Sequence, residues 1–293
     1  MTRSRIVLSV TGLLIAAACT SPPVTSTAPA PTSPRSQIPS VEPEPTPAPT
    51  DAPEPRNRWV TRTPEWLGQR VLPERPDGFG FAQPTPPIFR NRRLATVDLF
   101  PPPSEDRFVA RMGPVPPDVV ERSTWRPRCP VSLDELVYIK MTFWGFDHES
   151  HTGEMITNAA VGPDIVRIFK AMYKARFPIE EMRVVRRDEV NAPPTGDTND
   201  TSSFECRQVT LGSTWSEHSY GLAIDINPFH NPYWRGDIVA PELATAYTDR
   251  SWQRPGMVLD GDVVTEAFAA IGWGWGGHWS SLKDWMHFSE SGH

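Results

Sequence analysis

Proline is spread so unevenly along this chain that the sequence cannot fold as one uniform body. Of 34 prolines in 293 residues, 12 fall within residues 20–57, which contain no aromatic residue, whereas all 11 tryptophans lie at or beyond Trp59. Proline fixes φ and removes a backbone donor, and a stretch without large apolar side chains cannot offset the entropy of ordering itself. Only the later part of the chain can therefore build a core. In residues 20–57 proline alternates with Ser, Thr, Ala and Glu, a composition that favours extended polyproline conformations. At roughly 3 Å per residue such a tether spans on the order of 100 Å when fully extended. That reach suits lifting a domain off a membrane into a surrounding polymer, although a spacer with no defined reach has the same composition.

Ahead of the tether, Arg3 and Arg5 precede an apolar run from Ile6 to Ala18. A short basic segment followed by a short apolar one reads as an export signal, too short to span a bilayer. The run ends Ala16-Ala17-Ala18-Cys19, which resembles the bacterial lipoprotein box. On that reading Cys19 is the lipidated first residue of the mature chain. The protein is then exported and lipid-anchored on the outer face of the membrane, facing the cell wall. The organisation expected is a lipoprotein signal peptide at 1–18, a disordered tether at 19–57, an irregular extension at 58–120 and a folded domain at 121–293. A net charge of −6 with no basic cluster argues against nucleic acid as a partner. Nothing in the sequence calls for more than a monomer.

With Cys19 used by the lipid, Cys129 and Cys206 remain. Outside the cytoplasm two leftover cysteines most simply form one disulfide. Neither lies in a CxxC, so a metal-binding pair is the weaker alternative.

From Cys129 onward the pattern becomes regular. Val137, Ile139, Met141 and Phe143 alternate with Tyr138, Lys140, Thr142 and Trp144, the period of a strand with one core face. Asp147 to Gly153 reads as a turn and Met155 to Asn158 as the returning strand. Pro163 opens an amphipathic helix carrying Ile165, Ile168, Phe169 and Met172. Met182 to Val185 and Phe204 to Val209 read as further strands. Asp262 is a candidate N-cap for a helix with Val263, Ala267, Phe268 and Ile271 on one face. Hairpins with inserted helices predict an α+β domain whose central sheet is mainly antiparallel, with flanking helices. Residues 58–120, still proline-rich but aromatic, should wrap irregularly around it.

Two stretches carry chemistry. The first is Ser216-Glu217-His218-Ser219-Tyr220-Gly221-Leu222-Ala223-Ile224-Asp225. Gly221 permits a bend, and on the strand that follows, Ile224 and Ile226 face one way and Asp225 the other. A carboxylate on a rigid strand with a histidine on the preceding bend suits a metal, and equally suits a buried Asp–His hydrogen bond. The second is Asp284-Trp285-Met286-His287-Phe288. A catalytic zinc takes three protein ligands and leaves one position open. His218, Asp225 and His287 supply such a set, and Asp284 a base for the attacking water.

Together, SxHxxGxAxD and DxxHF resemble the zinc D-Ala-D-Ala peptidases, the VanY-like carboxypeptidases and the related L-Ala-D-Glu endopeptidases of phage lysins. The resemblance covers about residues 120–290. It implies the fold shared by D-Ala-D-Ala peptidases and hedgehog-type domains, and hydrolysis of peptidoglycan stem peptides with one Zn2+ per chain. His218, Asp225 and His287 are then its ligands, Asp284 the general base and Ser216 a substrate contact. The family's oxyanion-stabilising arginine falls best on Arg207, with Arg183 and Arg187 as alternatives. His148, His151 and Glu154 mimic a metal trio but fall in the expected turn, where a solvent-facing or structural role is the plainer one. His230 and His293 are not expected to be ligands, and His278 either lines the cleft or packs in the Trp273–Trp279 block. The rival function is a non-catalytic wall-binding or sensing module that keeps zinc for stability, as hedgehog-type relatives do. A base at Asp284 favours the enzyme.

Overall fold

A computed structural model describes residues 60–190, 192–210 and 212–293; the signal segment, Cys19 and the tether lie outside the described residues. The chain order is β1 (Ala110–Gly113), α1 (Pro117–Arg122), β2 (Leu136–Trp144), β3 (Ser150–Asn158), α2 (Gly162–Lys174), β4 (Ala223–Asp225), β5 (Tyr233–Arg235), β6 (Ile238–Ala240), α3 (Val263–Ala269), β7 (Gly274–Trp275), β8 (Lys283–Asp284) and β9 (His287–Ser289). The fold is α+β, and its antiparallel strands divide into three small sheets ordered β1-β2-β3, β4-β9-β7 and β6-β5-β8. No helix among the described residues is long and apolar enough to cross a membrane.

The β2–β3 hairpin is the framework. Its register sets Ile139 against Met155 and Val137 against Thr157, so that the alternating apolar set predicted from the sequence faces one core. α2 closes that core with Ile165, Ile168, Phe169 and Met172, all buried. Pro163 sits in the first turn, where its missing N–H is not needed. The opposite face of β2 is also covered: Thr142 donates to and accepts from the Val109 backbone, and Trp144 packs under Arg176.

Three expectations need correction. The returning strand begins at Ser150, not Met155, because polar residues there have partners far away in sequence. Glu154 is 1% exposed and accepts from both guanidinium nitrogens of Arg122 at 2.6 Å and from Tyr138 Oη at 2.6 Å. His151 is likewise a strand residue, buried between Asp98 (Nδ1, 2.9 Å) and Asp147 (Nε2, 3.0 Å); only His148 stays exposed in the turn. Met182–Val185 and Phe204–Val209 are extended but form no ladder. Their backbone groups are taken singly, Met182 O by Glu154 N–H and Phe204 N–H by Ile156 O, so each flanks β3 without becoming a regular strand. α3 starts at Asp262, whose carboxylate accepts from the N–H groups of Val264 and Thr265 at 2.9 Å. It ends at Ala269, leaving Ile271 beyond the helix, and its fully buried apolar residues are Val264 and Phe268.

The segment before β1 is built into the domain. Phe89 and Leu94 pack with Phe229, Leu243 and Tyr247 in a cluster of their own. Arg92, 2% exposed, lies between the rings of Phe89 and Phe229 and pairs with Glu180 at 2.5 and 2.8 Å. A buried charge is tolerable only with such pairing. His230 is fully buried against the Arg92 carbonyl, and burial drives its pKa down to about 3, which makes it a neutral core residue. Cys129 and Cys206 form a disulfide.

His151 clasps the extension, through Asp98, to the hairpin. Burial works against its charge, but the bonds to Asp147 and Asp98 outweigh that and raise its pKa. With the folded pKa above the unfolded one, the stabilisation is complete below the unfolded value and lost as pH rises through the folded one. His151→Ala should cost about 1–3 kcal/mol near pH 6 and less at alkaline pH. Denaturant midpoints of both proteins across pH test this; a pH-independent difference would refute the clasp.

Candidate metal centre

The centre is assembled from two strand ends and one turn. β4 and β9 pair with Asp225 directly opposite His287, so both side chains leave the same face. On the other face Ile224 and Phe288 are fully buried, and Phe288 stacks on Phe268 with centroids 4.1 Å apart. The apolar residues thus hold the two polar ones in register. His218 comes from the 3-10 turn Glu217–Tyr220, which Gly221 ends in the left-handed region at φ 67°. A Cβ at Gly221 would also lie 2.5 Å from the Asn158 backbone nitrogen, so the turn can press against the end of β3 only with glycine there.

These placements bring three donor atoms together. His218 Nε2 lies 3.2 Å from His287 Nδ1 and 3.3 Å from an Asp225 carboxylate oxygen, and His287 Nδ1 lies 3.2 Å from the other. Ligands held tetrahedrally about 2.0–2.1 Å from one ion are separated by roughly 3.3 Å. The donor set therefore fits a zinc-sized dication. His218 Nδ1 donates to the Ser203 carbonyl at 2.7 Å, which turns Nε2 towards the centre as the nitrogen available to a metal. Burial opposes the charge on Asp225, but the two imidazoles outweigh it and hold the carboxyl far below its ordinary range. His287 is pulled the other way: burial lowers its pKa, and the bond to Asp225 overcomes this and raises it.

Asp284 sits on β8 beside this trio. Its Oδ1 is buried and has no hydrogen-bond partner among the described residues, an arrangement that is costly unless something else uses it. Burial raises its pKa to about 7, against the pull of His287, His218 and Arg207. Its backbone packs on Gly276, where an added Cβ would meet the Asp284 carbonyl at 2.5 Å. Arg207 is held by Glu205 at 2.7 Å. Glu205 raises its pKa most, and Asp225 and Asp284 add to this, which puts the guanidinium within electrostatic reach of the centre. Arg183 is instead bound by Glu181 and Glu189, and Arg187 is exposed. Ser216 is buried and caps the turn, its Oγ accepting from the His218 N–H at 3.4 Å.

The other histidines stay outside. His278 is exposed, bonded to Asp260 at 2.9 Å and edge-on to Trp275; His293 is exposed at the C-terminus. Two contributors escaped the sequence reading. Ser203 acts through a carbonyl, which leaves no mark in residue type. Glu205 was legible, because Glu-x-Arg on an extended segment puts both charges on one side.

Residues 210–290 match a family model described as D-alanyl-D-alanine carboxypeptidase. The match supports, at family level, a zinc peptidase acting on peptidoglycan. It contains Ser216, His218, Asp225, Asp284 and His287, and it begins just after Arg207. No curated protein and no solved structure matches the chain.

Losing either histidine removes one of three converging donors and much of the binding free energy. His218→Ala and His287→Ala should each fail to retain stoichiometric zinc after dialysis. Full zinc occupancy in either variant, measured by elemental analysis, would remove that residue from the ligand set.

Proposed function

We propose that the chain is an exported zinc peptidase that hydrolyses peptidoglycan stem peptides, of the D-Ala-D-Ala carboxypeptidase or L-Ala-D-Glu endopeptidase type. The observation that carries this reading is the buried, unpartnered Oδ1 of Asp284 beside the converging donors of His218, Asp225 and His287. A metal held for stability alone needs no such carboxylate. A zinc ion bound by the trio would supply Lewis acidity to the scissile carbonyl and to the attacking water.

The remaining work falls to the chain. Asp284 accepts the proton of the attacking water and returns it to the leaving amine. Its elevated pKa makes it a competent base near neutral pH, and the positive charge of an ion at the trio would lower that value and keep it ionised. Arg207, steadied by Glu205, faces the negative charge that develops on the carbonyl oxygen. Ser216 shapes the rim by fixing the turn that presents His218.

The same proposal includes the cell envelope. The mature chain would begin at a lipidated Cys19, with the tether holding the domain out towards the wall. The mass of the N-terminal peptide decides this: a peptide starting at Cys19 without acyl chains would refute the anchor.

Asp284→Asn separates base from ligand. The amide is nearly isosteric, so zinc content and melting temperature should stay at parental values. Turnover of a defined disaccharide pentapeptide, followed by mass spectrometry, should fall by about 10²–10⁴-fold. Parental turnover in this variant would eliminate the base assignment. A zinc-loaded parent that cleaves nothing would instead favour the wall-binding module.

A further inference from the structure

The extension before β1 reaches the site, and this gives it a role that rests on the peptidase reading. In the β5–β8 pair Tyr233 stands directly opposite Asp284. Opposed residues of an antiparallel pair leave the same face, with Cβ atoms about 5 Å apart. The other face verifies the alternation: Trp234 and Trp285, each the next residue along, stack with centroids 6.0 Å apart and planes 5° from parallel. Tyr233 and Asp284 therefore share the opposite face, the one that carries the buried Oδ1 of Asp284.

The Tyr233 ring is half-buried and stacks on Phe79 at 5.8 Å and 12°. Its hydroxyl has no hydrogen-bond partner among the described residues. Phe79 is itself fixed by a tight turn closed by the Glu74–Gly80 bridge. That turn grips both ends of the β5–β6 hairpin: Arg75 pairs with Asp237 at 2.6 Å, and the Gly80 N–H donates to the buried Glu242 at 3.1 Å. A phenol stacked on a ring that the turn holds in place, with its polar end unused and a candidate catalytic base across the strand, is poised for a ligand rather than for the core.

We infer that Tyr233 is a substrate-binding residue of this site, its hydroxyl donating to a carbonyl or carboxylate oxygen of the stem peptide next to the scissile bond. Phe79 is a positioning residue that holds the ring. The extension thereby supplies one wall of the cleft.

The test uses the full-length, zinc-loaded protein and a disaccharide pentapeptide. Affinity is measured calorimetrically in the Asp284→Asn background, so that it does not depend on turnover. Adding Tyr233→Phe should weaken binding about 10- to 100-fold, the cost of one hydrogen bond to a charged or buried oxygen, with zinc content and melting temperature unchanged. Phe79→Ala, in the otherwise parental enzyme, should raise KM several-fold with kcat nearly constant. Equal affinity with and without the Tyr233 hydroxyl would overturn the inference, as would a Tyr233→Phe variant that loses zinc or stability along with affinity. Normal peptide binding without cleavage by the parent would count against the peptidase reading and leave the contact standing.

Discussion

A carboxylate caught between two imidazoles is the interaction around which the C-terminal half is arranged. Asp225 lies within about 3.3 Å of both His218 and His287, and without a cation such a cluster concentrates polar groups that burial penalises. The fold holds it by force of packing. Ile224 and Phe288 are fully buried on the reverse of the same two strands, so moving Asp225 or His287 would pull a core residue out with it. At roughly 25 cal/mol per Å2 of apolar surface, each of those side chains contributes about 1.5–3 kcal/mol, enough to hold an unfavourable polar geometry in place. Strand pairing sets the direction of two donors, and the turn ended by Gly221 sets the third.

The same logic extends outward through the segment holding Arg207. Cys206 is tied to Cys129, and its neighbours Glu205 and Arg207 point the other way. Glu205 N–H bonds the His218 carbonyl, and Ser216 N–H bonds the Arg207 carbonyl. The arginine and the first histidine are thus parts of one hydrogen-bonded unit. A crosslink on its far side, closing a 77-residue separation, limits how far that unit can drift. The extension does for β5 and β8 what the disulfide does for this segment: Phe79, Arg75 and the Gly80 N–H brace a hairpin whose own core anchors are Ile238 and Val239.

What could be read from the sequence follows from how local the physical causes are. His218, Gly221 and Asp225 lie close together, and each has a local reason to be there: a bend, a left-handed residue, a strand face. Their convergence with His287 was legible because a three-ligand site leaves few other partners. The α+β class and α2 were legible from periodicity. The failures share one cause, a partner distant in sequence. Polar His151 and Glu154 look like turn residues until Asp98 and Arg122 are placed beside them. Met182–Val185 has the composition of a strand, but no neighbour offers it a continuous ladder. Tyr233 gave no signal, since only its register with Asp284 reveals the face it occupies.

That contrast bears on where function resides along the chain. The family match spans residues 210–290 and encloses the three donors and Asp284, so this span holds the residues that would bind the metal and take the water's proton. Other groups proposed to serve the reaction, Ser216 excepted, lie outside that span or are braced from outside it. Arg207 precedes the match, and Tyr233, although inside it, owes its fixed ring to Phe79. A minimal domain cut at the match boundaries would keep the donor atoms but lose Glu205, Cys206 and the Phe79 turn. Catalysis depends on how well groups are held as much as on which groups are present. On the proposed peptidase reading, the turn around Phe79 would therefore belong to the cleft, and substrate specificity is expected to depend on such bracing as well as on the metal motif.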